Sequence, residues 1–146
     1  MVPSYKQTEA AHAEAAESHM FESRMAHIHG QIADVRDALR GGNFERAFET
    51  AEHDSLSLAA TTMTGPSGWV YWQPRTIEIF NAVRELRSEE DVPVYFSVDT
   101  GASVYVNTTA EYVDRVEAAV ADCGVDTRVW EVGGPARVLD RGEALF

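Results

Sequence analysis

Residues 92–109 read VPVYFSVDTGASVYVNTT. Val94, Phe96 and Val98 alternate with Tyr95, Ser97 and Asp99, which is the period of a strand with one face toward a core. After Thr100-Gly101, the residues Val104 to Val106 resume the pattern. The stretch therefore predicts a strand over Val92–Val98, a return strand over Val104–Val106, and a hairpin with Asp99 at its bend.

Upstream of this hairpin the period changes from two to between three and four. Phe21, Met25, Ile28, Ile32, Val35 and Leu39 fall on one helix face, and Gly41-Gly42 stops that helix. Asn43 suits the N-cap of a second helix, whose inner stripe is Phe44, Phe48, Ala51, Ser55 and Leu58. Gly65-Pro66-Ser67-Gly68 is a turn. Pro74 opens a third helix with Ile79, Phe80, Val83 and Leu86 inside. Met1 to Ala10 reads as extended chain or the tail of a strand.

Downstream, Thr108 and Glu111 fit a capping box for a helix carrying Val113, Val116, Val120 and Cys123, which Gly124 ends. Thr127 to Val132 alternates like a last strand before Gly133-Gly134-Pro135. Helices grouped beside an antiparallel sheet give an α+β class. The 146 residues form one domain without repeat or linker.

Composition excludes several classes. The net charge is −12, so nucleic-acid binding is not expected. No run reaches the roughly 18 apolar residues of a membrane span, and the polar N-terminus is no signal peptide. One cysteine, Cys123, allows no internal disulfide, and a cytoplasmic location is the simple reading. Lys6 is the single lysine, against 24 acidic residues. Carboxylates hold water and cations in salt that screens their repulsion, so this balance fits a salt-tolerant protein. An acidic protein from a GC-rich genome would share it.

Asp99 is the first candidate for chemistry. It is either an exposed turn residue or a base that touches a substrate hydroxyl, with Ser97 on the same face. Ser55, Ser57, Thr61, Thr62 and Thr64 either donate to an anion or bond back to their own helix carbonyls. The histidines lack a ligating spacing, so no metal site is expected. Cys123 sits on an apolar stripe as a core residue. Trp69, Tyr71 and Trp72 either pack in the core or an interface, or wall a cleft. Gly133-Gly134-Pro135 matches no phosphate loop, and no other glycine-rich segment does.

Taken together, Phe48 to Thr76, Val92 to Thr109 and Gly133 to Leu139 resemble mevalonate diphosphate decarboxylases. The most specific string is HDSLSLAATTMTGPSGWVYWQP, residues 53–74. These enzymes share a superfamily with galactokinase, homoserine kinase, mevalonate kinase and phosphomevalonate kinase. The likeness is strongest to the haloarchaeal branch, which acts on mevalonate 5-phosphate. The resemblance implies the C-terminal domain fold of that superfamily, over 1–146, with the N-terminal ATP-binding half absent.

The family's Phe-Asp-Ala-Gly motif corresponds to Val98-Asp99-Thr100-Gly101. The resemblance thus makes Asp99 the catalytic aspartate and brings Gly101 and Ser97 to the substrate. Its Asp-Ser pair corresponds to Asp54-Ser55, but Ala59 stands where eukaryotic members carry a histidine. Ser4 to Thr8 occupies the place of a substrate-facing Ser-rich stretch, which nominates Lys6 and Thr8. Gly134-Pro135 is similar to a closing Gly-Pro element.

The implied reaction phosphorylates a tertiary hydroxyl from ATP with Mg2+, then loses phosphate and carbon dioxide to leave an alkene. Both cofactors are expected mainly on the other half. A phosphorylated mevalonate, that half and a second subunit are the expected partners, and this chain alone is expected to be silent. A non-catalytic interaction module and a small-ligand sensor are the competing readings.

Overall fold

The computed structural model describes residues 8–138. Five α-helices and two strands follow in the order α1 (Thr8–Ala15), α2 (Phe21–Arg40), α3 (Phe44–Met63), α4 (Pro74–Glu89), β1 (Val94–Ser97), β2 (Tyr105–Thr108) and α5 (Val113–Ala121), with a single 3-10 turn at Ala110–Tyr112. This is the expected α+β class, with one antiparallel sheet of two strands among the described residues.

The local signals act as chemistry dictates. Gly42, at φ 67°, takes a left-handed conformation that costs other residues strain, and so ends α2. Asn43 Oδ1 then accepts from the Arg46 backbone N–H at 3.0 Å and caps α3. α2 and α3 form a helical hairpin, cross-linked by Arg24, which donates to both Asp54 carboxylate oxygens at 2.8 and 3.0 Å.

The core lies between α4, α5 and the hairpin. Ile79, Phe80, Val83 and Leu86 from α4 meet Val94, Phe96 and Val98, with Val116 and Val120 closing the far side. Phe80 stacks on Phe96 with ring centroids 3.9 Å apart, and Trp72 meets Phe80 edge-on at 5.2 Å.

The strand register pairs Val94 with Thr108 and Ser97 with Tyr105. The edge of β1 away from β2 is sealed by side chains. Phe96 N–H donates to Glu52 Oε2 at 3.1 Å, and Arg87 Nη1 donates to the Val94 carbonyl at 3.0 Å. Arg87 and Glu52 also bond each other through both nitrogens at 3.1 Å. An ion pair from α3 and α4 thus occupies the place of a third strand and covers the edge. The Glu52 carboxylate holds the Arg87 guanidinium above its ordinary range.

Four expectations are corrected. Residues 8–10 are helical, where extended chain was expected; Met1 to Gln7 lie outside the described residues. Thr108 does not cap a helix, because it still belongs to β2 and its hydroxyl donates to the Pro93 carbonyl at 3.0 Å. Residues 127–132 form no strand: from Arg128 onward they are exposed and pack on nothing that would hold a pairing, with Trp130 73% exposed and Val132 fully so. The apolar face of α2 is only half turned inward. Phe21, Ile28 and Val35 are partly buried, while Met25, Ile32 and Leu39 are exposed.

Candidate functional site

Asp99 lies in the seven-residue connection between β1 and β2, residues 98–104. Its neighbours Val98 and Thr100 are buried, and Asp99 between them is exposed. The strand alternation continues one step past β1 and turns this carboxylate outward, where a ligand can reach it. Ser97 and Gly101 flank it at half-buried positions. The end of β1 and the connection after it therefore gather three of the six predicted site residues in five positions of chain.

The connection is tied to α4. Thr76, in the first turn of that helix, is 2% exposed. Its hydroxyl accepts from Gln73 N–H at 3.1 Å and donates to the Ala102 carbonyl at 3.2 Å. The positive end of α4 thus lies beside the loop that bears the carboxylate, which favours negative charge there.

The other predicted residues lie elsewhere. Ser55 is buried and its hydroxyl donates to the Glu52 carbonyl at 2.9 Å, so α3 itself takes up its donor. Thr61, Thr62 and Thr64 likewise donate to the carbonyls of Ser57, Ala59 and Ala60. Four of the five hydroxyls of the Ser/Thr cluster thus bond back to their own helix. Thr8 is the first residue of α1, and Lys6 lies outside the described residues. Gly134 and Pro135 are in the exposed stretch that ends the described chain.

The aromatic triplet divides between two jobs. Trp72 belongs to the core stack with Phe80. Trp69 stacks on Tyr71 at 6.2 Å and donates from Nε1 to Glu14 at 3.0 Å. Glu14 also accepts from the backbone N–H and hydroxyl of Ser67, so one carboxylate of α1 clamps the turn after α3. Burial, then the charge of Glu14, push the Tyr71 phenol above its ordinary value. Burial also pushes the Cys123 thiol up, which makes it a poor nucleophile.

A groove of about 340 Å³ runs between α2 and α3, lined by residues that include Arg24, His27, Gln31, Asp34 and Ser57. It holds none of Ser97, Asp99 or Gly101, and Arg24 within it is already committed to Asp54. Among the described residues, no three His, Cys, Asp or Glu side chains converge as a metal site would need, and no helix is long and apolar enough to cross a membrane.

Three residues that hold β1 and the loop after it escaped the sequence reading. Glu52 follows Phe48 by four on the inner stripe of α3, and Arg87 follows Phe80 by seven on that of α4. A charge of each sign on facing apolar stripes was the available signal. Thr76, two residues into a helix opened by proline, carried the signature of a capping side chain.

No family model matches the chain. Over 145 residues, 99% of its length, it is 79% identical to the phosphomevalonate decarboxylase of Haloferax volcanii, and it spans 45% of that relative. Among solved structures it is similar to the mevalonate diphosphate decarboxylase from Enterococcus faecalis, described for its mevalonate diphosphate mediated ATP binding. The TM-score is 0.75 at 20% identity, covering 81% of this chain and 37% of that one. A second such structure, MDDEF in complex with MVAPP, AMPPCP and magnesium, matches with a TM-score of 0.71 at 22% identity, over 75% of this chain and 33% of that one. The structural likenesses establish the fold, and the Haloferax relative carries the resemblance across nearly every residue.

Proposed function

We propose that residues 1–146 are the C-terminal portion of an ATP-dependent decarboxylase of mevalonate 5-phosphate or 5-diphosphate, serving isoprenoid synthesis. The observation that carries this reading is the 79% identity to a phosphomevalonate decarboxylase, together with an exposed carboxylate, Asp99, on a loop pinned to a core helix.

Asp99 acts on the tertiary hydroxyl of the substrate. It orients that group and accepts its proton as the oxygen becomes a nucleophile. Ser97 and Gly101 line the approach, with Lys6, Thr8 and Ser55 nominated by the family resemblance. Ser55 would have to give up its bond to Glu52 to serve in this way.

The described residues do not fit ATP or magnesium. They offer neither a glycine-rich phosphate cradle nor converging carboxylates. Both ligands are assigned to the part of the relative that this chain does not span, and no step is routed through them here. The same reading gives a cytoplasmic, salt-adapted enzyme that pairs with a second subunit and binds neither nucleic acid nor membrane.

The test joins residues 1–146 to the portion of the Haloferax relative they do not match. Mg-ATP and either mevalonate phosphate are supplied in concentrated potassium chloride, and alkene product is detected by NMR. Turnover by the joined protein and none by the chain alone is expected. A folded joined protein that makes no alkene overturns the reading and leaves a non-catalytic module.

A further inference from the structure

We propose that Thr76 is a positioning residue that fixes Asp99 by locking the 98–104 loop onto α4. This rests on the reading of Asp99 given above.

The middle of the loop has little of its own to hold it. Between the buried anchors Val98 and Thr100 and the core-packed Val104, it runs through Gly101, Ala102 and Ser103, which carry no large side chain. Glycine adds backbone freedom there. Such a loop would leave a carboxylate at its bend free to wander.

Thr76 supplies the constraint. A backbone N–H can only donate, so the Gln73 N–H fixes the Thr76 oxygen as acceptor and leaves its one proton for the Ala102 carbonyl. Capping α4 needs only the first of these bonds. The second reaches 26 residues along the chain to the site loop. Thr76 is itself buried in the first turn of a helix whose Phe80 and Val83 belong to the core. The loop therefore inherits the rigidity of a helix packed into the core.

Misplacing a reacting group by about 1 Å costs up to about 100-fold in rate. In the joined protein, Thr76→Val keeps the shape but loses both bonds, the cap from Gln73 and the one to Ala102. It should lower kcat roughly ten- to 100-fold with KM within about twofold, while Thr76→Ser restores kcat. In residues 1–146 alone, amide exchange at Gly101–Val104 should quicken in Thr76→Val and stay slow in Thr76→Ser. If Thr76→Val does not fold, Thr76→Ala against Thr76→Ser makes the same comparison, because the pair differs only in the hydroxyl.

Unchanged loop exchange, or an unchanged kcat where Asp99→Asn abolishes turnover, overturns the proposal. Asp99→Asn that keeps full activity instead removes the catalytic reading, and the exchange experiment still decides whether Thr76 holds the loop.

Discussion

Glu52→Ala is expected to cost the fold about 3 kcal/mol and to lower Tm by roughly 10 °C. One carboxylate, in a residue 4% exposed, satisfies the Arg87 guanidinium and the Phe96 N–H together. Removing it leaves a charge and a strand-edge donor without their partner. The figure sits at the low end for a broken buried pair because the Arg87 side chain keeps 31% of its exposure and can recruit water.

Salt distinguishes this pair from the surface ones. Arg46–Asp34, with both side chains more than half exposed, should contribute nothing measurable in concentrated potassium chloride. The cost of losing Glu52 should persist there. Urea denaturation of Glu52→Ala and of Glu52→Leu with Arg87→Met, in low and high salt, checks both points. The double variant should recover much of the loss, since both charges leave together. A Glu52→Ala protein as stable as its parent would show that the sealed edge carries no weight.

Asp99→Asn in the joined protein is the second large effect. The amide keeps the size of the carboxylate and one of its acceptor oxygens but cannot accept a proton at neutral pH. kcat should fall about 10²–10⁴-fold, the span of general-base catalysis. Stability should stay within about 0.5 kcal/mol, because the side chain is exposed. Alkene formation and thermal melting measured on the same preparations separate the two. Retained turnover would remove Asp99 from the chemistry.

Much of this architecture is legible in the residues. The helix of residues 21–40, the Asn43 cap, the proline-opened α4 and the hairpin all follow from period and punctuation, because each is decided within a few residues. What fails is whatever depends on a partner. The pattern at 127–132 marks a chain able to pair, and it cannot report that residues 128–132 find no surface to pack against. Thr108 reads as a cap because its spacing to Glu111 is right, while the strand it belongs to runs two residues beyond its last valine, Val106. Met25, Ile32 and Leu39 share a stripe with buried residues, yet α3 covers only one flank of it.

The site shows the same division. Asp99 is visible as a carboxylate at a bend, and the role proposed for it rests on the family likeness. Thr76 is invisible as a site residue because its bond to Ala102 spans 26 positions. Ser55 looks available in the sequence, and only the helix geometry shows its hydroxyl turned back on Glu52.

The short link between α2 and α3 has a consequence in time. Closing a three-residue connection costs little entropy, so this helical pair can meet early as the chain collapses. The sealed edge needs Glu52 to find Phe96, 44 residues away, and so it belongs to the late, slow part of assembly. Glu52→Ala should then hasten unfolding far more than it retards refolding, the signature of a contact made after the rate-limiting barrier. Stopped-flow chevrons would show that signature as a raised unfolding limb above an unmoved refolding limb. That result would place the endurance of the chain in the lifetime of its folded state, guarded by the Glu52–Arg87 pair.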